Sequence, residues 1–166
     1  MGLHALGDSA WLFKAAGSSA EKKLELILRL RRILELHPVA GIVDIVSSFD
    51  TIAVHFQPAD GRKILEHLTS LSLDEAGGHP PFSGQTFTIP VAYGGSGLEA
   101  LADAKNLTVE ELIDLHQGAE YTVAAIGFSP GFPYLLGLPA PLHHPRLGPP
   151  QKVAAGSVAV AGEQAG

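Results

Sequence analysis

Cysteine is absent from this 166-residue chain. That excludes a disulfide framework, a thiolate nucleophile and any cysteine-ligated zinc site. Charge is sparse as well. Only 17% of residues are Asp, Glu, Lys or Arg, and the formal net charge is −6 with no basic cluster. Such a surface offers little to nucleic acid or an anionic membrane, so neither is expected as a partner. No apolar run reaches the ~18 residues of a spanning helix. The start, Met1-Gly2-Leu3-His4, has no charged n-region and no long apolar h-region, which argues against a secretory signal and for a cytoplasmic protein. What the chain does hold is 46% hydrophobic residues, 19 glycines and 12 prolines. That is enough to bury a core, in one large domain or two small ones, with many turns.

The glycine and proline are not spread evenly. The run Gly127-Phe128-Ser129-Pro130-Gly131-Phe132-Pro133-Tyr134-Leu135 packs two glycines, two prolines and three aromatics into nine residues. No helix survives that density. The segment reads as a shaped, rigid, apolar loop, built to pack in one way or to hold something flat against its rings. Its first five residues also fit G-x-S-x-G, the nucleophile elbow of serine hydrolases. In an elbow the residue after the serine gives a backbone N–H to the oxyanion hole. Here that residue is Pro130, which has none. The hydrolase reading is therefore set aside.

Periodicity orders the N-terminal half. Ser9 to Phe13 reads as a short strand. Ser18 and Glu21 are placed as a capping box for a helix with an apolar stripe of Leu26, Ile27, Leu30, Ile33 and Leu34. His37-Pro38 ends that helix. Gly41–Val46 and Thr51–Phe56 read as a hairpin, and Asp60 as the cap of a helix bearing Ile64, Leu65, Leu68 and Leu71. One more strand would complete a ferredoxin-like βαββαβ unit. Gln85–Val91 either supplies it or opens the next domain. The Gly/Pro-rich stretch 76–84 reads as a linker, giving domains 1–80 and 81–166. Beyond it the sequence predicts a strand over Phe87–Tyr93, a turn, a helix over Leu98–Lys105, and a helix capped by Thr108 and Glu111. A strand over Tyr121–Ile126, a proline-rich irregular stretch and a short strand over Val158–Ala161 follow.

Few motifs carry chemistry by themselves. Gly95-x-Gly97-x-x-Ala100 matches the permissive dinucleotide fingerprint. Two helical segments follow it before the next strand, however, and no acidic residue ends that strand to hold a ribose, so a glycine turn is the better reading. There is no P-loop. His143-His144 and His116 lack metal-ligand spacing and a completing carboxylate, so no metal site is expected; the pair reads as exposed loop residues. His116 sits at a helix C-terminus, where the dipole favours an imidazolium.

Taken together, several blocks say more. They are Ile89-Pro90-Val91-Ala92-Tyr93-Gly94-Gly95, Leu115-His116, Tyr121-Thr122-Val123, the run from Gly127 to Pro139, Pro145-Arg146, and the run from Ala155 to Gln164. Their order and wording resemble the B-subunit family of 5-oxoprolinase, also called allophanate hydrolase subunit 1. That family includes a bacterial histidine-kinase inhibitor and is similar to a carboxyltransferase portion of urea carboxylase. The resemblance runs from about Gly7 to the end and is densest after Ile89. It implies an α+β fold, with an N-terminal ferredoxin-like α/β unit followed by an incomplete cyclophilin-like β-barrel. The turn after Tyr93 and the residues Leu147 and Gln151 depart from the family pattern, leaving fewer cations. The family also continues with further barrel strands beyond the point where this chain stops.

The functional implication is a subunit of an ATP-dependent 5-oxoprolinase, working with a related second subunit and a third one on 5-oxoproline. Its cofactor would be ATP, alone or with Mg, in the assembled complex. The alternatives are a histidine-kinase inhibitor or other protein-binding module, or a subunit of allophanate hydrolase or urea carboxylase type. No catalytic residue is assigned. Substrate-binding candidates are His116 and Tyr121, Phe128, Pro130, Gly131 and Phe132 of the aromatic run, Arg146, and Glu163 with Gln164. His116 stays open between structural cap and site residue, Arg146 between anion partner and loop charge, and Glu163-Gln164 between ligand-facing and solvated.

Overall fold

Hydrophobic periodicity is met by two antiparallel sheets with helices packed beside them. The structure is a computed structural model, and it describes residues 2–71, 84–149 and 152–166. The fold is α+β. The chain divides into two compact units, Met1–Gln85 and Thr86–Gly166. The expected boundary at 80/81 lies outside the described residues, as does its linker except for Gly84.

The first unit holds β1 (Gly2–Ala5), β2 (Ala10–Lys14), α1 (Ala20–Leu36), β3 (Ile42–Ser47), β4 (Thr51–Phe56) and α2 (Gly61–Ser70). Its sheet runs β1-β2-β4-β3, antiparallel throughout. Ile52, Val54 and Phe56 alternate inward along β4. They meet Ile27, Leu30 and Leu34 of α1 and Ile64 and Leu68 of α2 in one core. The Trp11 indole N–H donates to the Gly61 carbonyl at 3.0 Å, tying the start of α2 to β2.

Three expectations are corrected here. The fourth strand of the ferredoxin-like sheet is β1, from the beginning of the chain, and not the segment 85–91, whose residues form no strand. A tight turn closes β1 onto β2, with the Leu6 N–H on the Ala10 carbonyl at 2.8 Å. So short a closure costs little entropy, and it fills the sheet edge locally. The cap of α1 is Ser19, not Ser18. Its side chain accepts from the Lys22 N–H, so Glu21 is not the reciprocal member of a box. Asp60 stands before α2 but makes no capping hydrogen bond, since a 3₁₀ turn over Pro58–Asp60 already leads the backbone into the helix.

The second unit holds α3 (Leu98–Lys105), α4 (Val109–Gln117), β5 (Thr122–Ile126), β6 (Pro133–Leu136), β7 (Val160–Ala161) and β8 (Gln164–Ala165). Its sheet order is β5-β6-β8-β7, and among the described residues it does not close into a barrel. Ala102, Leu112, Leu138, Leu142 and Ala165 form its buried centre. The strand expected over 87–93 is not formed, and the one expected over 158–161 is shorter, Val160–Ala161, with β8 following it. The aromatic run is only partly a loop, because its end, Pro133–Leu136, is β6 and pairs with β5. Proline is tolerated there because it opens the strand. Gly137 follows at φ +103, with its Cα side against the carbonyl oxygen of Glu120. Only a residue without a Cβ allows that approach.

Candidate functional site

The best-organised polar group in the second unit is built on α4. Thr108 and Glu111 close the capping box that the sequence predicts. The Thr108 hydroxyl accepts from the Glu111 N–H at 3.1 Å, and the Glu111 carboxylate accepts from the Thr108 N–H at 2.8 Å. The Thr108 N–H and then its hydroxyl, both donating to the Glu111 carboxylate, hold that carboxyl below its ordinary range. The cap fixes where the helix starts and hence which residues face inward. Leu112 is buried, and His116, four residues on, lies on the same face.

His116 is half-buried between two phenol rings. The Tyr93 hydroxyl lies 2.7 Å from its Nδ1. The Tyr93 ring stands edge-on to the imidazole at 5.7 Å, and the Tyr121 ring is tilted against it at 5.4 Å. The Tyr121 hydroxyl donates to the His116 backbone carbonyl at 3.1 Å. It thereby satisfies one of the carbonyls that a helix end leaves without a partner. Burial pushes the His116 imidazole below its ordinary pKa and the Tyr93 phenol above its own. Tyr121 is raised too, by burial first and then by Tyr93. All three side chains are therefore neutral near pH 7. Burial thus acts against the imidazolium that the helix dipole favours at this end. Among the described residues the Nε2 atom of His116 has no hydrogen-bond partner, and it is not one of their sealed, unpartnered polar atoms. The cluster brings neutral hydrogen-bonding groups together beside aromatic faces.

The aromatic run forms a second feature. Ser129-Pro130-Gly131-Phe132 is a turn with the Phe132 N–H on the Ser129 carbonyl at 3.1 Å and Gly131 at φ +81. Proline at the second position and a left-handed glycine at the third are what a type II turn requires. Phe128 precedes it at φ +66 with its ring 92% exposed. A bulky side chain in that region is strained. Phe128, Phe132 and Tyr134 form an edge-to-face ladder with centroids 6.0 and 5.1 Å apart. Ser129 sits on this hairpin tip, not between a strand and a helix, so the elbow geometry is absent.

The remaining candidates stand apart. Arg146 is exposed, Glu163 lies at the exposed turn between β7 and β8, and Gln164 is half-buried in β8. Among the described residues no hydrogen bond or ion pair joins them to either group. His143 and His144 are not the exposed pair expected. His143 Nε2 lies 2.9 Å from the Leu138 carbonyl, and its own carbonyl accepts from Lys105. His144 pairs through its backbone with Gly162. Among the described residues no three His, Asp or Glu side chains converge as a metal set. Sequence reasoning alone passes over Tyr93 as a site residue. Its signals are its place on the same alternation as Phe87, Ile89 and Val91 and within the Ile89–Gly95 block of the family resemblance.

Comparison with known proteins places these features in a family context. The family described as carboxyltransferase domain, subdomain C and D, matches residues 1–166. Three proteins named as the B subunit of 5-oxoprolinase are similar. The Bacillus subtilis protein is 30% identical, covering 97% of this chain and 73% of its own. The Haemophilus influenzae protein is 46% identical over 51% of this chain and 42% of its own. The Escherichia coli O157:H7 protein is 46% identical over 47% of this chain and 38% of its own. Among solved structures, a crystal structure of TTHA0988 matches with a TM-score of 0.79 at 30% identity, over 94% of this chain and 31% of that one. The chain thus spans less than a third of TTHA0988 and matches less than half of two of the three curated relatives.

Proposed function

The chain belongs to the carboxyltransferase-domain family, subdomain C and D, and from that premise we propose that it serves as a B-type subunit of a 5-oxoprolinase. The observation that carries this reading is the match along the whole chain to a relative of that name. The proposed reaction is ATP-dependent opening of the 5-oxoproline ring to glutamate. ATP transfers its γ-phosphoryl group to the lactam oxygen and ADP leaves. Water then adds to the activated carbon and the ring C–N bond breaks with a proton going to nitrogen, which leaves the acyl phosphate of glutamate; a second water hydrolyses that acyl phosphate to the carboxylate and free phosphate. A lactam is a cyclic amide, and neutral hydrogen-bonding groups beside aromatic faces, as in Tyr93, His116 and Tyr121, suit its recognition. Two features support a shared site over a self-sufficient one: the Gly/Pro-shaped tip denies Ser129 an oxyanion donor, and the sequence has no P-loop for ATP.

Co-expression with a related second subunit and a third subunit, followed by an ATP-dependent 5-oxoproline assay, tests the proposal. Glutamate formation that disappears when this chain is omitted supports it. Turnover that is indifferent to the chain contradicts it. A second reading, a binding module such as a histidine-kinase inhibitor, is favoured by one observation: Phe128 is both strained and almost fully exposed, a combination that functional sites retain. Inhibition of a kinase by the chain, lost on replacing Phe128, would favour that reading.

A further inference from the structure

We propose that Tyr93 is a positioning residue, whose hydroxyl donates to Nδ1 of His116, fixes the imidazole as its Nε2–H tautomer, and so presents one N–H donor to a carbonyl oxygen of a small amide ligand. The identity of that ligand rests on the 5-oxoprolinase reading; the positioning does not. The distance of 2.7 Å is that of a well-formed O–H···N bond. A phenol is the better donor of the two and a bare imidazole nitrogen the better acceptor, so the shared proton stays on oxygen and Nδ1 carries none. The second ring proton then resides on Nε2, which has no hydrogen-bond partner among the described residues. The edge-on Tyr93 ring and the tilted Tyr121 ring restrict rotation of the imidazole plane. Tyr121 spends its own hydroxyl on the His116 backbone, so it anchors the helix end and leaves the tautomer to Tyr93. Histidines whose second nitrogen is held in this way act as oriented donors.

Imidazole ¹⁵N spectra of the chain, labelled at histidine, test the assignment. The wild type is expected to show a bare Nδ1 and a protonated Nε2 for His116. Tyr93→Phe is expected to lose that single-tautomer signature and show a mixture. Tyr121→Phe, which keeps the Tyr93 bond, is expected to retain it. A proton on Nδ1 in the wild type overturns the proposal whatever the variants do, as does an unchanged tautomer in a folded Tyr93→Phe. In the assembled enzyme Tyr93→Phe is expected to lower kcat by up to ~10²-fold through misplacement of the donor, with KM little changed. An assembly that does not turn over 5-oxoproline refutes the functional reading and leaves the spectroscopic result standing.

Discussion

Phe128 holds φ +66 and is largely exposed, and its ring stands edge-to-face to Phe132. The left-handed region costs an L-residue about 1–2 kcal/mol. Glycine removes that strain but adds about 0.5–1 kcal/mol of unfolded-state entropy. Phe128→Gly also gives up the edge-to-face contact with Phe132, worth about 0.5–1.5 kcal/mol, so it is expected to change stability by no more than ~1 kcal/mol in urea denaturation. A clear loss of stability would mean that the ring supports the fold. His116 gives a second residue-level test. Its folded pKa lies below the unfolded value of about 6.5. Above that value its contribution is constant. As pH falls through it, the unfolded chain takes up the proton first, and stability is lost down to the folded value. Wild type is expected to lose more stability than His116→Gln between about pH 7.5 and 5.5; parallel losses would refute the burial argument. His116 and Tyr121 are legible as candidates from their spacing. Tyr93 is not, because the hydroxyl contact spans 23 residues and no local pattern records it.

At the scale of elements, helices are easier to read than strands. The stripe of α1 is periodic over several turns, and Ile27, Leu30, Ile33 and Leu34 are buried as that stripe requires. The sequence places the cap one residue early because Ser18 and Ser19 offer the same hydroxyl, and only the chain path decides between them. Ser19→Ala is expected to cost about 0.5–1 kcal/mol, and Ser18→Ala to stay within about 0.5 kcal/mol; the reverse order in thermal melts would move the cap to Ser18. Short strands are another matter. Four-residue β1 has no alternation to detect, and β6 begins with proline in a run that reads as loop. By contrast Phe87, Ile89 and Val91 alternate clearly yet form no strand, and their side chains are exposed. Alternation records which face a residue prefers and says nothing about the neighbouring strand that must complete it. Gly137→Ala should show how tightly β6 returns to β5. The φ of +103 and the Glu120 carbonyl leave no room for a methyl group, so a loss of at least ~1–3 kcal/mol is expected in urea denaturation, and a neutral result would show that the backbone can shift.

Across the whole chain, the two units differ in how their sheets are supported. In the first, β4 lies between β2 and β3 and is covered by α1 and α2. In the second, β5 is an edge strand with Val123 and Ile126 exposed. Edge amides lack a partner on one side and open more readily. Amides of residues 52–56 are accordingly expected to exchange much more slowly than those of Thr122–Ile126, and equal protection would mean that the second sheet is closed in solution. The proposed function rests on this second unit, at Tyr93, His116 and Tyr121, and not on the serine of the G-x-S-x-G run. Turnover of 5-oxoproline by the assembled enzyme carrying His116→Gln, set beside Ser129→Ala, tests that placement most directly. The account predicts a fall of roughly 10²-fold or more for His116→Gln and a near-wild-type rate for Ser129→Ala. A normal rate for His116→Gln together with loss of activity in Ser129→Ala would contradict it.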